Sequence, residues 1–591
     1  MFFSNRSIAI LLAILAGSSL ALADSPRPNV LLIMTDDQGY GDLSLHGNPV
    51  LRTPAMDSVG REGVRLDRFY VSPVCAPTRA SLLTGRYHLR TGSWGVSRRQ
   101  EVVDPAETTI AEVMRENGYA TGCFGKWHNG AAYPETPNGQ GFDEFFGFLG
   151  GVWREYYDPI LRHNDEDNRY EGYITEILTD KAIDWMDEQI DRDQAFFCYL
   201  PYNAPHTPGL VDEEYWKPFY EKSVGRWESV IYGMIKSIDE QIARVLSFLE
   251  TSGQEENTIV IFMTDNGPNT FRYTAGLKGK KAHIYEGGIR VPFFIRWPGT
   301  LKPHTVNQPL SHIDILPTVA ELCNIDLNTP NPIDGMSFAS LLRDPSMDWP
   351  DRQFISFSYG SKTKIQSEAA VHTNRWTAVQ FKGAWSLYDI EADVRQRHDL
   401  SKRYPEVLDK LKSHWETELA TMPPLGVETP VPVGQRDGER VVLKGHDANF
   451  NVPRGKGIDY NYRAGFTGHW ISKWTDTKAY PEWKLNVAQG GNYEVSILYC
   501  LPAEDVGVAG YLELGIQRLP FKIVEAFDPQ PYSQPFMLDG ESTKYEHKAW
   551  KRLTLGTAQL NGGQASVRIQ LSDIPGPNGI EIKEVELRRL N

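Results

Sequence analysis

The sequence predicts an α/β protein with a mostly parallel central sheet, a small antiparallel subdomain after it and an appended β-sandwich. Three observations predict this. The continuous apolar runs "NVLLIMT" (Asn29 to Thr35) and "TIVIFMTDNG" (Thr258 to Gly267) show no alternation, as in strands buried on both faces. Helical patterns lie between such runs, at Glu107 to Asn117 and Ile231 to Glu250, and strands alternating with helices build parallel sheets. The tail switches to period-two alternation. In "NYEVSILY", Tyr493, Val495, Ile497 and Tyr499 alternate with Glu494, Ser496 and Leu498, and "SVRIQLS" does the same with Val567, Ile569 and Leu571.

The elements follow in order. Residues 1–23 combine Arg6, an apolar run from Ile8 to Ala16 and the small-residue pattern Ala21-Leu22-Ala23, which predicts a secretory signal peptide. That run is too short to span a membrane, and no later segment is long and apolar enough. The protein is therefore expected to be exported, periplasmic or extracellular, without a membrane span. Residues 24–350 form the α/β domain. Residues 351–421 hold shorter strand patterns and a helix from Pro405 to Leu419, read as the antiparallel subdomain. Residues 422–435 ("MPPLGVETPVPVGQ") read as a proline-rich linker. Residues 436–591 are the β-sandwich accessory domain. Its aromatics Trp470, Trp474, Tyr480 and Trp483 could stack on sugars or fill the sandwich core.

Composition narrows the function. A chain of 591 residues holds several cores at roughly 150 residues per domain. A net charge of −15 argues against a nucleic-acid partner. It also leaves an anionic substrate dependent on local cations. Five cysteines, odd in number and widely spaced, make a poor disulfide framework. Cys123, Cys198, Cys323 and Cys500 sit in apolar contexts as buried hydrophobes do. Cys75, in "SPVCAPTRASLLTGRY", does not.

In open α/β folds ligands gather at the carboxyl ends of strands. Asp36-Asp37 and Asp265-Asn266 each follow an apolar strand and together offer hard oxygen ligands suited to calcium or magnesium. Turn signals are the ordinary reading of either pair alone. "GKWHNG" follows a short strand, so a continued pleat would put Lys126 and His128 on one side, with Trp127 as an anchor on the other. "NAPHTP" sets His206 in a rigid loop, a platform for acid–base work. "GLKGKKAHIYEGGIRVP" supplies lysines among glycines. Oxygen ligands, several cations and an odd cysteine together describe a site for a tetrahedral oxyanion ester, sulfate or phosphate.

These segments, with "LLIMTDDQGYGD", "SHIDILPTVAEL" and "SLYDIEADVRQRHDL", resemble the type I, formylglycine-dependent sulfatases over roughly residues 24 to 420. The resemblance implies an alkaline-phosphatase-like sulfatase domain and hydrolysis of a sulfate ester, with a sulfated carbohydrate as the expected substrate class. It implies that Cys75, within Cys-Ala-Pro-Thr-Arg, is oxidised to Cα-formylglycine by a formylglycine-generating maturation enzyme. It implies one calcium ion on Asp36, Asp37, Asp265, Asn266 and the modified Cys75. Arg79 would hold the formylglycine and its charge. Lys126, His206 and Lys281 would hold the sulfate oxygens, and His128 would contact the formylglycine hydroxyl. Lys281 aligns by its distance to Glu286; Lys278, Lys280 and His283 receive no role. The family often has Leu where Asn129 stands, and Asn129 is expected to shape the substrate side.

Two other readings stay open. A phosphodiesterase or phosphonate hydrolase could use the same fold. A dead glycan-binding protein is opposed by the intact set of catalytic residue types. Trp153, Arg154, Tyr156, Tyr157, Arg162 and His163, in the segment Gly147 to Tyr173, are candidate sugar contacts.

Overall fold

A computed structural model describes residues 27–359, 367–424, 426–427, 429–462, 467–532, 534–535 and 547–590. The expected signal, residues 1–23, lies outside the described residues.

The two apolar runs are neighbours. Strand Asn29–Thr35 pairs in parallel with Thr258–Thr264, with Asn29 opposite Thr258 and Thr35 opposite Thr264. Its other edge pairs with Phe196–Pro201, and the parallel run continues through Ala120–Lys126 to Glu144–Phe148. Antiparallel strands flank this core. Phe293–Arg296 lies against Thr258–Thr264, and Ile160–His163 lies against Glu144–Phe148.

The missing alternation has a simple cause. The pleat sends Val30, Leu32 and Met34 into one core and Leu31 and Ile33 into the other. Helices Cys75–Thr84, Ile110–Glu116 and Ile315–Leu322 cover the first. Helices Pro54–Glu62, Ile174–Asp191 and Arg226–Thr251 cover the second. Truncating a central residue such as Ile33 to alanine should cost roughly 2–5 kcal/mol. Ile110–Glu116 begins with a reciprocal cap, in which Thr109 Oγ1 accepts from the Glu112 amide and the Glu112 carboxylate from the Thr109 amide. Gly118, at φ +82°, then turns the chain. Arg226–Thr251 starts earlier than its apolar spacing shows, because Trp227 and Val230 extend the buried stripe.

The antiparallel subdomain contains Phe354–Tyr359, Ser367–His372, Trp376–Phe381 and Ala384–Asp389, paired in chain order. Helix Pro405–Ala420 places Leu411 and Trp415 in a core shared with Tyr87, Leu89 and Ile313 of the α/β domain.

The tail forms two mainly antiparallel sheets. One is built around Pro481–Val487 and Gly563–Asp573, the other around Gly491–Cys500 and Glu581–Leu590. Residues 422–435 are not all linker. Val431–Val433 is a strand beside Pro481–Val487, and Val431 and Val433 enter the sandwich core. The tryptophans do not lie on the sandwich surface. Trp470, Trp474 and Trp483 are buried, and the last two donate their indole N–H to Ala479 O at 3.0 Å and Lys444 O at 2.8 Å. Trp474 and Trp483 are therefore satisfied core rings, while Trp470 is buried against Trp550.

The sandwich docks on the α/β domain. Ala132 packs into the sandwich core. Arg99 Nε donates to Thr429 O at 2.8 Å, Arg436 pairs with Asp165 at 2.8 Å, and His547 lies 3.6 Å from Glu155.

Candidate active site

The parallel register brings the two acidic strand ends side by side. Asp36 and Asp37 follow Thr35; Asp265 and Asn266 follow Thr264. Asp37, at φ +66°, donates its amide to Asp265 Oδ1 at 3.1 Å, and Asn266 Nδ2 donates to Asp37 Oδ1 at 2.7 Å. Cys75 opens the wholly buried helix Cys75–Thr84, whose free N–H groups favour negative charge at that end. Arg79 sits one turn later on the same face. Its Nε and Nη2 donate to Asp265 Oδ2 at 3.2 and 2.9 Å, and Nη1 donates to Lys126 O at 3.0 Å.

Two lysines stand over the acids. Lys126 Nζ lies 2.5 Å from Asp36 Oδ2, and Lys281 Nζ lies 2.5 Å from Asp37 Oδ1. Lys281 also donates to Cys75 Sγ at 3.2 Å. His206 Nδ1 meets Thr207 O at 2.7 Å, while Nε2 lies 3.7 Å from Asp37 Oδ2. Its loop is braced by Tyr156, whose hydroxyl donates to His206 O at 2.8 Å.

Electrostatics follow from burial. Burial acts to raise Asp37, but Lys281 and His206 hold it well below the usual carboxylate range. Burial, then Asp36, pushes Asp265 up to about 6. Burial pushes the Cys75 thiol up to about 12 against the pull of Lys126 and Lys281, so an unmodified thiol there stays protonated and a poor nucleophile at neutral pH. Burial opposes the charge on Lys281, yet the carboxylates around it, Asp37 foremost, hold its pKa well above the ordinary lysine value. Burial and Lys281 lower His206 to about 3, and burial and Lys126 lower His128 well below the ordinary imidazole value.

The donors fit a hard cation. Asp36 Oδ1, Asp37 Oδ2 and Asn266 Oδ1 are buried oxygens with no hydrogen-bond partner, although such atoms nearly always have one. Asp36, Asp37, Cys75 and His206 each place one ligand-type atom within 4.8 Å of the others. Asp265 also accepts from Arg79 at Oδ2 and from the Asp37 amide at Oδ1, and Oδ1 keeps a lone pair.

Sequence expectations meet the structure unevenly. Cys75, His128, His206 and Lys281 line one cavity of about 360 Å³. His128 does not arrive by a continued pleat. The strand ends at Lys126, and His128 turns back at φ +69°, with Nε2 held by Val96 O at 2.8 Å. Trp127 is the expected anchor, buried, with its indole N–H donated to Glu135 O at 2.9 Å. Asn129 does not line that cavity. It is buried and donates to Ala76 O at 3.2 Å and Glu101 O at 3.1 Å, bracing the start of the Cys75 helix.

Of the six candidate sugar contacts, Arg154 lines the cavity. Trp153 stacks on Phe148, Tyr156 supports His206, and Tyr157 donates to Asp212 at 2.9 Å. Arg162 pairs with Asp167 and His163 with Glu144. Lys278 meets the Tyr388 hydroxyl and Lys280 the Asn269 carbonyl, so Lys281 is the lysine of this segment that reaches the site. Sequence reasoning missed Tyr462, Thr467 and His469, which line the cavity from the sandwich. No pattern around them signals this.

Comparison with known proteins gives the same direction. A sulfatase family profile matches residues 28–325, and one described as N-sulphoglucosamine sulphohydrolase, C-terminal, matches residues 278–421. An uncharacterized sulfatase of Escherichia coli, YdeN, is 30% identical over 473 residues, 65% of this chain and 84% of the relative. Human arylsulfatase A is 30% identical over 432 residues, 65% of this chain and 80% of its own length. The crystal structure of Ps i-CgsB in complex with k-i-k-neocarrahexaose aligns with a TM-score of 0.62 at 29% identity, covering 66% of this chain and 92% of that one.

Proposed function

The chain belongs to the sulfatase family, and from that premise we propose that it removes sulfate from a sulfated carbohydrate, using a formylglycine made from Cys75 and one calcium ion. The observation that carries the reading is the cluster of buried, unpartnered oxygens of Asp36, Asp37 and Asn266 beside Cys75, Lys126 and Lys281. Those oxygens, with Asp265, would hold the ion. The similarity to Ps i-CgsB, crystallised with a neocarrahexaose, favours a saccharide.

Calcium, when bound, supplies positive charge to sulfate oxygens and to the attacking group. A formylglycine at position 75, once hydrated, would supply one hydroxyl to take the sulfuryl group as the S–O bond to the alcohol breaks, and a second whose deprotonation would reform the aldehyde and expel sulfate by C–O cleavage. The chain's own residues do the rest. Lys126 and Lys281 turn from the carboxylates to the sulfate oxygens, where fixed cations in a buried site stabilise developing charge. His206, with Lys281, protonates the leaving alcohol; its Nδ1–H is committed to Thr207 O and its ring is neutral, so the proton starts on the Lys281 ammonium and Nε2 passes it on. His128 takes the proton from the second hydroxyl through Nδ1, which is buried and has no partner, while Nε2 stays on Val96 O. Arg79 keeps Asp265 in place. Export rests on residues 1–23, and a maturation enzyme is required to oxidise Cys75.

The test is turnover of an aryl sulfate, an aryl phosphodiester and position-defined sulfated saccharides, with mass spectrometry of the Cys75 peptide. Preference for sulfate esters and an aldehyde at position 75 are expected. An unmodified thiol in fully active enzyme, or preference for the phosphodiester, overturns the reading.

A further inference from the structure

His128 is oriented by a neighbouring loop. Its Nε2 meets the Val96 carbonyl at 2.8 Å. A carbonyl only accepts, so Nε2 carries the hydrogen and Nδ1 the lone pair that can take a proton. Nδ1 is buried and has no partner. Gly151 packs on the ring so closely that a methyl there would lie 2.1 Å from Nε2. The position of Val96, which also lines the cavity, therefore decides which nitrogen is free to act as a base.

Val96 belongs to a closed, strained loop. The Trp94 and Gly95 amides donate to Gln100 O at 2.7 and 3.0 Å. Inside that closure Arg98 and Arg99 stand in succession at φ +62° and +65°. Left-handed backbone is costly for such side chains and persists only where the surroundings over-determine it. The Arg99 side chain supplies much of that surrounding. Its Nε donates to Thr429 O at 2.8 Å and its Nη2 to Pro430 O at 3.1 Å, directly ahead of the sandwich strand Val431–Val433. Its Nη1 donates to Glu135 Oε2 at 3.1 Å, and Nη2 also pairs with Glu135 Oε1. All three nitrogens are thus committed, in a pair whose side chains are only 10% and 3% exposed. Glu135 in turn braces the segment that carries His128. Its carbonyl accepts from the Trp127 indole at 2.9 Å, and its carboxylate from the Ala132 amide at 3.4 Å. The Val103 amide, just past the loop, reaches Asn129 O at 3.1 Å.

We propose that Arg99 is a positioning residue for the second half of the reaction: by clamping its loop between Glu135 and the first residues of the sandwich, it holds the Val96 carbonyl on His128 and so keeps Nδ1 as the base. The inference deepens the sulfatase reading and rests on it. Arg99 does not line the cavity, so it acts through Val96. Without the clamp the left-handed pair is free to relax, the Val96 carbonyl moves, and the imidazole loses the acceptor that fixes its tautomer. The sandwich thereby serves the chemistry as a buttress, since two of the four Arg99 bonds end on its leading residues. The kinetic consequence is specific. His128 works after the alcohol has left, taking the proton from the second hydroxyl as the aldehyde reforms and the C–O bond to sulfate breaks. Slowing that step alone lowers kcat and KM together, leaves kcat/KM in place, and loads position 75 with sulfate ester.

The test uses full-length enzyme whose position 75 is shown by mass spectrometry to be an aldehyde, with the aryl sulfate or sulfated saccharide that the wild type turns over fastest. Arg99→Ala should lower kcat by about tenfold or more, a fraction of what a positioned base contributes. KM should fall in the same proportion, with kcat/KM within about threefold of wild type. Acid-quenched variant at saturating substrate should carry sulfate on the position 75 peptide, well above the wild-type level. Arg99→Lys keeps the charge at Glu135 but cannot span the two carbonyls as well, so it should shift kcat and KM in the same direction by less; it serves if the alanine variant fails to fold. A second readout is independent of turnover. In a Cys75→Ala background, Arg99→Ala should speed hydrogen–deuterium exchange of residues 94–101 by about tenfold or more. A folded variant in which kcat and kcat/KM fall together, in which neither changes, or in which exchange of that loop is unaltered overturns the positioning role. If the wild type turns over a sulfate ester in that case, the sulfatase reading stands. A wild type that cleaves no sulfate ester overturns both.

Discussion

Arg79 grips Asp265 with two nitrogens, Nη2 at 2.9 Å and Nε at 3.2 Å from the same carboxylate oxygen, with neither side chain exposed. A third donor reaches the carbonyl of Lys126. One guanidinium thus joins the Cys75 helix to the ends of two strands. Arg79→Ala would strand a buried carboxylate, which costs roughly 3–5 kcal/mol. Arg79→Lys keeps the charge but loses the fork, and should fall between. Urea unfolding of the two variants checks this; an alanine variant as stable as wild type would show that the fork holds nothing together.

Cys75→Ala should fold normally and lose turnover. The thiol is buried and packs as a small group, so a thermal melt should move little, while aryl sulfate hydrolysis should drop to background. Substantial activity in that variant would remove position 75 from the chemistry.

Chelation should separate metal binding from catalysis. A ligand at a hundred times its Kd adds about 2.7 kcal/mol to the folded state. EGTA should therefore lower Tm by several degrees as well as stop turnover, and calcium should restore both. Asp36→Asn and Asp37→Asn should blunt the Tm response. An unchanged melt in EGTA would count against an ion on these oxygens.

Glu101 predicts a pH dependence. Its carboxyl is enclosed at the sandwich interface, where burial, then Asp447, pushes its pKa from the ordinary 4.5 to about 8, against the pull of Arg99. The folded state holds an extra proton between those values, so this contribution is fully present below pH 4.5 and lost as pH rises through 8. Glu101→Gln, which cannot ionise, should melt a few degrees above wild type at pH 8.5 and close to it at pH 5, by differential scanning calorimetry. Equal differences at both pH values would contradict the assignment.

Trp474 tests the sandwich core. It is fully buried with its indole N–H satisfied, so Trp474→Ala should cost roughly 3–5 kcal/mol, as large core truncations do. Denaturant unfolding measures this; a neutral effect would reopen a surface role.

Much of the site is legible in the sequence because its residues occur in short, local patterns. An apolar run that stops at Asp36-Asp37 marks a strand end with oxygen atoms to offer, and the resemblance to the sulfatases picks out Lys281 by its distance to Glu286. The pleat rule does not account for His128, since a left-handed turn depends on backbone contacts with Val96 and Leu149 that no such rule supplies. Asn129 defeats a local reading for a similar reason. Its partners, Ala76 and Glu101, lie on a distant helix start and loop.

By itself the sequence determined the layered α/β core, the alternating sandwich strands and the residue types that gather at the candidate site. These depend on periodicity and on neighbours a few residues apart. Only the tertiary structure decided that Val431–Val433 belongs to the sandwich, that the tryptophans are core and that Tyr462, Thr467 and His469 close the pocket. Residues more than 300 positions from Arg154 meet it only after two domains dock. Such contacts are set by the shape and packing of whole surfaces, which no local pattern encodes.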